Sequence, residues 1–261
     1  MKLYKNFNIA KNHKRSLILI GNFDGVHLGH QKLFKLANSY KKRFNLNIGV
    51  LTFEPMPKMF FNKDIKNFRI SNNNQKNIIL KSLGVDFIIT QKFDEKFSKI
   101  KSEFFIKEIL SKKLEAKYIF VSTNFKFGNK REGDVNQLIK NEKIHNYKIV
   151  KPQPLILSQK VISSSYIRSL LERGNLKKTN RLLGRNWSIE GMVQKGRQQG
   201  KKIGFPTCNL DIKDYVIATP GVYAVNVKRK NSNKPLKAIA NLGYRPTFNQ
   251  KKILLEVHIF N

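Results

Sequence analysis

The chain carries a single cysteine, Cys208. No internal disulfide can form, and cysteine this sparse fits a reducing compartment. Long apolar runs are missing as well. None approaches the about 18 residues that a membrane-spanning helix needs, and Met1 to Lys14 has no apolar signal-peptide core. These absences read as a cytoplasmic protein with no membrane partner. Acidic residues are scarce: 17 Asp and Glu stand against 51 Lys and Arg, for a net charge of +34. Such an excess raises a nucleic-acid reading. The lysines, however, are spread along the whole chain, with no long block and no basic arm. Lys, Asn, Ile and Phe are plentiful together, as AT-rich coding produces. No specific nucleic-acid partner is expected, although a positive surface favours encounter with anionic nucleotides.

What is present suffices for a folded enzyme. The chain has 261 residues, 40% of them hydrophobic, enough for one large domain or two modest ones. The first two thirds alternate strand and helix patterns. Leu17 to Ile20, Ile48 to Phe53, Phe87 to Thr90, Tyr118 to Val121 and Tyr147 to Val150 read as strands. Gln31 to Phe44 and Gln75 to Leu83 read as helices. Ser102 is expected to cap a further helix whose Phe105, Ile106, Ile109, Leu110 and Leu114 share one face. This βαβ order predicts a doubly wound parallel sheet, with ligands at the carboxyl ends of its strands. After Leu183 the pattern changes to short strands separated by Gly and Pro: Trp187 to Val193, Gly221 to Val227, Leu236 to Leu242 and Ile253 to Phe260. A boundary at 184/185 follows, with a small antiparallel barrel beyond it.

The most telling string is Gly21-Asn22-Phe23-Asp24-Gly25-Val26-His27-Leu28-Gly29-His30. It runs from a strand into a helix. A helix start offers free N–H groups and partial positive charge, which attract phosphate. Gly29 lets a phosphate come close to the backbone, and both histidines can donate to a phosphorus centre gaining charge. A lone His-x-Gly-His would fit a capped helix equally well. Four further strings accompany it. Thr52-Phe53-Glu54-Pro55-Met56-Pro57 ends the second strand, and Asn124-Phe125-Lys126-Phe127-Gly128 follows the fourth. Ile162-Ser163-Ser164-Ser165-Tyr166-Ile167-Arg168 opens a helix with Ser164 or Ser165 as its N-cap. Gly200-Lys201-Lys202-Ile203-Gly204-Phe205-Pro206-Thr207-Cys208-Asn209-Leu210 precedes Pro220-Gly221-Val222-Tyr223, Asn241-Leu242-Gly243-Tyr244-Arg245-Pro246-Thr247-Phe248 and Glu256-Val257-His258. Taken singly, the serines are ordinary caps, and Arg168 and Glu256 are ordinary surface charges.

Together and in this order the strings resemble the bacterial bifunctional FAD synthetase family, riboflavin kinase/FMN adenylyltransferase, over nearly the whole chain. The resemblance implies a fold and two activities. The fold is α/β: an N-terminal Rossmann-like nucleotidyltransferase domain (1–184) with a parallel sheet, then an incomplete antiparallel β-barrel (185–261). The first module transfers AMP from ATP to FMN, and the second phosphorylates riboflavin to FMN. It puts His27 and His30 on the ATP phosphates, Asn22 and Asp24 in the same loop, and Arg168 on the departing pyrophosphate through its planar fork of donors. Gly21, Phe23, Gly29, Asn124, Ser164 and Ser165 belong to the same substrate- and nucleotide-binding set. In the second module it assigns the base to Glu256, Mg²⁺ ligation to Thr207 and Asn209, and close nucleotide approach to Gly204 and Pro206. ATP, FMN, riboflavin and Mg²⁺ are the small molecules implied. The histidine site is expected on a loop, where substitution disturbs folding little.

Some positions depart from the family pattern. Met56 stands where His is usual and cannot donate to phosphate. Ser122 stands where Gly is usual, and Cys208 where Ala is usual; Cys208 is expected to pack as a small hydrophobe. Family members also continue past the Glu256 strand with further strands and a helix that close the flavin site. From this the expectation is weak riboflavin phosphorylation beside clear FMN adenylylation. Two rivals remain: a lone FMN adenylyltransferase with a non-functional barrel, and a basic nucleic-acid-binding protein on a nucleotidyltransferase scaffold. The scaffold binder has no reason to keep His27, His30, Thr207, Asn209 and Glu256 together.

Overall fold

A computed structural model describes residues 1–194, 204–229, 232, 234–247 and 250–260. Gly200 to Ile203 and Phe248 of the quoted strings lie outside the described residues. The chain forms two compact units. One comprises residues 1–65, 73–164 and 182–184; the other comprises 66–72, 165–181 and 185–261.

The first unit is built on six parallel strands. These are β1 (Lys2–Tyr4), β2 (Leu17–Ile20), β3 (Ile48–Glu54), β4 (Phe87–Lys92), β5 (Tyr118–Phe120) and, after a small hairpin of β6 (Lys126–Phe127) and β7 (Gly133–Asp134), β8 (Lys148–Val150). Their spatial order is β1-β4-β3-β2-β5-β8. The chain leaves β2 towards β3 on one side and later returns to β5 on the other, so the order reverses at β2. Such a switch point opens a crevice at the strands' carboxyl ends. Pairing of Leu17 with both Ile48 and Tyr118 fixes the central register.

Near-continuous apolar strands are expected where helices cover both faces, and the side chains sort by alternation. Ile18, Ile20, Leu51, Phe53, Phe87, Ile89 and Ile119 pack on one side with Phe105, Ile106, Ile109 and Leu110. Leu17, Leu19, Ile48, Val50, Ile88 and Phe120 pack on the other with Phe34, Ala37 and Leu80. The helices between strands are α1 (Leu28–Phe44), α2 (Pro57–Phe61), α3 (Asn73–Ser82), α4 (Glu95–Ser98), α5 (Ser102–Phe104), α6 (Val135–Lys140) and α7 (Glu142–His145). The run after α5, Phe105–Lys113, winds as a π-helix, in which Leu114 N–H donates to the Ile109 carbonyl five residues back.

Ser102 does not cap that run. Lys101 holds the N-cap position without a side-chain bond, and Ser102 is the first helical residue. Its N–H donates to Glu132 Oε1 and its hydroxyl accepts from Gln137 Nε2. A tertiary partner has replaced the local cap.

After the β9 (Ile156–Leu157) and β10 (Lys160–Val161) hairpin come α8 (Ser164–Glu172) and α9 (Leu176–Leu183). The second unit then carries an antiparallel sheet of β11 (Val193–Gln194), β12 (Cys208–Leu210), β13 (Gly221–Val227), β14 (Leu236–Thr247) and β15 (Gln250–Ile259), in the order β11-β12-β15-β14-β13. Ala238, Ala240, Leu242, Leu255 and Val257 alternate onto its buried face over Ile212 and Tyr215. Trp187 to Met192 is not a strand, contrary to its sequence pattern. Trp187 is held instead by its indole N–H, which donates to the Ile70 carbonyl at 2.9 Å. Residues 66–72 join this unit through their backbone: Arg69 N–H donates to the Asp214 carbonyl and Val216 N–H to the Arg69 carbonyl.

Candidate active site

The histidine string lies where β2 ends, at the switch point of the parallel sheet. Helix α1 starts at Leu28, three residues before the expected Gln31, because His27 itself is the N-cap. Its Nδ1 accepts from His30 N–H at 3.3 Å. An imidazole thereby does the work usually given to Ser, Asp or Asn. The two rings stack with centroids 3.7 Å apart, and Phe23 meets His30 edge-on at 5.2 Å.

Gly29 has a packing reason to lack a side chain. A Cβ there would lie 3.1 Å from His27 Nδ1 and 3.3 Å from the Ile162 carbonyl. The missing side chain makes room for the capping ring. Gly21 likewise faces the Phe23 ring.

The loop is wound tightly. Phe23, Gly25 and Val26 all have positive φ, with Val26 at 38°, a region that β-branched residues rarely enter. Strain of this kind costs on the order of 1–3 kcal/mol and persists only when the surroundings enforce it. Gln31 supplies part of the enforcement, its Nε2 donating to both the Val26 and Leu183 carbonyls at 2.9 Å. The Ser164 hydroxyl adds a bond to the Asp24 carbonyl, also 2.9 Å. Asp24 and His27 are each only 4% exposed. The site is therefore a tightly wound, buried turn in the loop between β2 and α1.

Two polar atoms in this turn are buried without a hydrogen-bond partner: Asn22 Oδ1 and His30 Nδ1. Such orphans are rare and call for an explanation. Burial, and next the neighbouring His27, hold the His30 imidazole well below the ordinary histidine value. His30 is thus neutral at physiological pH and offers a neutral N–H.

A stability consequence follows from that neutrality. Near pH 6.5, the ordinary histidine value, the unfolded chain takes up a proton that native His30 refuses. The contribution is present in full above that pH and is lost as pH falls from there through the folded value. Thermal melts between about pH 7.5 and 5 should show a smaller acid-side loss for His30→Gln than for the parent. Parallel curves would refute this account.

Asn124 sits on the exposed loop after β5, where its Oδ1 accepts from the Ser122 hydroxyl at 2.9 Å. The unusual serine thus fixes the asparagine side chain. Met56, the other departure, is buried at the start of α2. Both Ser164 and Ser165 lie inside the first turn of α8, which begins at Ser164; neither is the cap. Arg168, in the second unit, stacks its guanidinium 3.7 Å over the Phe68 ring and donates from Nε to the Phe68 carbonyl at 2.8 Å.

In the second unit, Asn209 lies directly opposite Glu256 in the β12–β15 ladder. Directly opposed residues share a sheet face with Cβ atoms about 5 Å apart. Leu255 and Val257 point to the core, so alternation places Asn209 and Glu256 on the other face. Asn209 is nonetheless buried, and its Oδ1 has no hydrogen-bond partner. Thr207, two residues earlier, is exposed. Gly204 has φ 83° and open space at its Cβ position. The Pro206 carbonyl accepts from His258 Nδ1 at 2.8 Å, tying this loop to β15. Burial pushes the Cys208 thiol up, which keeps it protonated and unreactive.

Sequence reasoning passed over Lys76 and Gln31. Lys76 had a signal: it shares a helix face with apolar Leu80, four residues on, where a lysine is out of place. Gln31 had none, because its bonds are to backbone carbonyls that no pattern announces.

A Rossmann-like sheet with a histidine-capped helix at its switch point, joined to an antiparallel sheet carrying an Asn–Glu pair, defines a nucleotidyltransferase coupled to a second catalytic module. Comparison with known proteins gives the particular family. The FAD synthetase family model matches residues 9–166 and the riboflavin kinase model matches 183–261. A bifunctional riboflavin kinase/FMN adenylyltransferase from Buchnera aphidicola subsp. Schizaphis graminum is 39% identical over all of this chain and 85% of its own length. That from Escherichia coli K12 is 35% identical over all of this chain and 84% of its own. The chain belongs to the bifunctional riboflavin kinase/FMN adenylyltransferase family. A crystal structure from Streptococcus pneumoniae, described as that of a macrolide-efflux protein, superposes with a TM-score of 0.84 at 29% identity, covering 99% of this chain and 84% of the other. Among the described residues no helix is long and apolar enough to cross a membrane.

Proposed function

We propose that residues 1–184 adenylylate FMN to FAD and residues 185–261 phosphorylate riboflavin to FMN, both from ATP. The observation that carries the first assignment is the pair of orphaned polar atoms, Asn22 Oδ1 and His30 Nδ1, at the start of α1. They are desolvated before any ligand arrives, as preorganised groups are.

In the first reaction an FMN phosphate oxygen attacks the α-phosphorus of ATP. The bond from that phosphorus to the bridging oxygen breaks, and pyrophosphate leaves. The nucleophile is largely ionised at neutral pH, since its second pKa is about 6, and needs no protein base. Catalysis then rests on positioning and charge stabilisation. His27, His30 and the α1 N-terminus hold the triphosphate. Gly21, Phe23 and Gly29 shape the turn that presents them. Asn124, Ser164 and Ser165 contribute to substrate binding, and Arg168 is assigned to the departing pyrophosphate.

In the second reaction the riboflavin hydroxyl attacks the γ-phosphorus, gives its proton to Glu256, and ADP leaves. A hydroxyl is a poor nucleophile without such a base. Asn209 Oδ1 is a buried, unpartnered oxygen of the kind that hard cations prefer. With the Thr207 hydroxyl it would hold Mg²⁺, which supplies charge neutralisation on the phosphates when bound. Gly204 and Pro206 set the backbone for nucleotide approach. The setting we infer is cytoplasmic.

The test is direct. Purified protein is incubated with ATP, Mg²⁺ and either riboflavin or FMN, and the flavins are separated by chromatography. FAD from both substrates is the expected result. FAD from FMN alone would reduce the protein to an adenylyltransferase, and no flavin product from either would overturn the proposal.

A further inference from the structure

Among the described residues the mechanism above gives no task to two buried cations, Arg69 and Lys76, and Lys76 is the more deeply buried. Lys76 lies inside α3 and is only 4% exposed. Taking an ammonium out of water costs several kcal/mol unless nearby dipoles or charges receive it, so packing alone is a poor reason for it. Its Nζ donates to Thr52 Oγ1 at 3.3 Å. The Thr52 hydroxyl in turn directs its hydrogen to the Asn22 carbonyl, a long contact of 3.5 Å. A second rung runs beside the first: Asn73 Nδ2 donates to Glu54 Oε2 at 2.8 Å. Thr52 and Glu54 share a face of β3, and Asn73 and Lys76 are one helical turn apart. These polar rungs join α3 to the carboxyl end of β3, next to the switch point. The line from Lys76 ends on the residue whose side-chain oxygen is orphaned in the phosphate turn.

We propose that Lys76 is a positioning residue of the adenylyltransferase site, orienting Thr52 so that the Asn22 turn is fixed for ATP and placing a buried positive charge behind it. The proposal rests on the reading of residues 1–184 as an FMN adenylyltransferase. A buried charge acts on a triphosphate with far less screening than a surface lysine. It is felt in the ground state and the transition state alike, so its loss appears mainly in KM for ATP.

The experiment compares Lys76→Met, Lys76→Arg, Thr52→Val and the Met/Val double variant in FMN adenylylation, with thermal melts of each. In Lys76→Met, KM for ATP should rise about tenfold while kcat stays within about threefold. Thermal melts are read alongside, since removing one member of a buried polar line leaves its partners unsatisfied and lowers the melting temperature. Lys76→Arg should recover most of the affinity. The double variant should be no worse than Lys76→Met, because both changes break one line. An unchanged KM for ATP in Lys76→Met, with or without a fall in melting temperature, overturns the proposal, as do additive losses in the double variant. If the unaltered protein makes no FAD from FMN and ATP, the functional reading itself fails. Normal FAD formation by both the unaltered protein and Lys76→Met defeats the lysine's role alone.

Discussion

Alanine at His27 or at His30 cuts FAD formation from FMN and ATP by about 10²-fold or more, the scale for losing one preorganised donor to developing charge. The two substitutions should differ in what else they disturb. His27 caps α1 through Nδ1, so His27→Ala also removes a cap, typically about 1 kcal/mol of stability. His27→Asn keeps a capping oxygen and removes only the imidazole. It should lose activity as fully as His27→Ala while melting closer to the parent. His30→Gln removes the neutral ring N–H but fills part of its space under Phe23. Steady-state FAD formation and thermal melts on the same preparations separate the effects. Near-normal FAD formation in both alanine variants would remove the histidines from the mechanism.

The central sheet was legible because its strands are buried on both faces and therefore read as uninterrupted apolar runs. Leu17 to Ile20 is matched residue for residue, and the strand at Ile48 overruns its expected end by only Glu54. β1 was missed, since Lys2–Tyr4 is too short to show a period. Three errors elsewhere share one cause: a tertiary hydrogen bond displaced the local rule. Ser102 lost its capping role to contacts with Glu132 and Gln137. Trp187 was drawn out of a strand by the Ile70 carbonyl. Residues 66–72 pair through main chain with Asp214 and Val216, and main chain leaves no mark on composition.

At the candidate site the residue types were legible and their physical roles were not. Family strings located His27, Gly29 and His30. Only coordinates could show that one histidine caps the helix, that the glycine exists to admit its ring, and that the other histidine is left with a bare nitrogen. Strain is equally silent in sequence. Val26 carries no hint that it must adopt a positive φ, and Gln31, which helps hold it there, looks like any surface glutamine.

Asn209→Ala should abolish riboflavin phosphorylation, by about 10²-fold or more, and leave FMN adenylylation untouched. Asn209 Oδ1 is buried, lacks a hydrogen-bond partner and lies across the ladder from Glu256. A structural role would require the oxygen to accept a bond, and in the absence of ligand it accepts none. Deleting an unsatisfied buried acceptor removes a desolvation penalty, so the alanine variant should melt at or above the parent temperature. A loss of kinase activity therefore cannot be assigned to unfolding. Glu256→Gln should also suppress phosphorylation, but for a different reason, since it keeps the shape and removes the base. Asn209→Asp retains an oxygen in place and should keep part of the activity that alanine loses, with a lower Mg²⁺ requirement because a carboxylate binds the ion more tightly. Chromatographic separation of riboflavin, FMN and FAD reads all three variants in one assay. Equal loss of phosphorylation and adenylylation in Asn209→Ala would mean that the two reactions do not occupy independent sites, because nothing in the histidine turn of the parallel sheet depends on a side chain of β12.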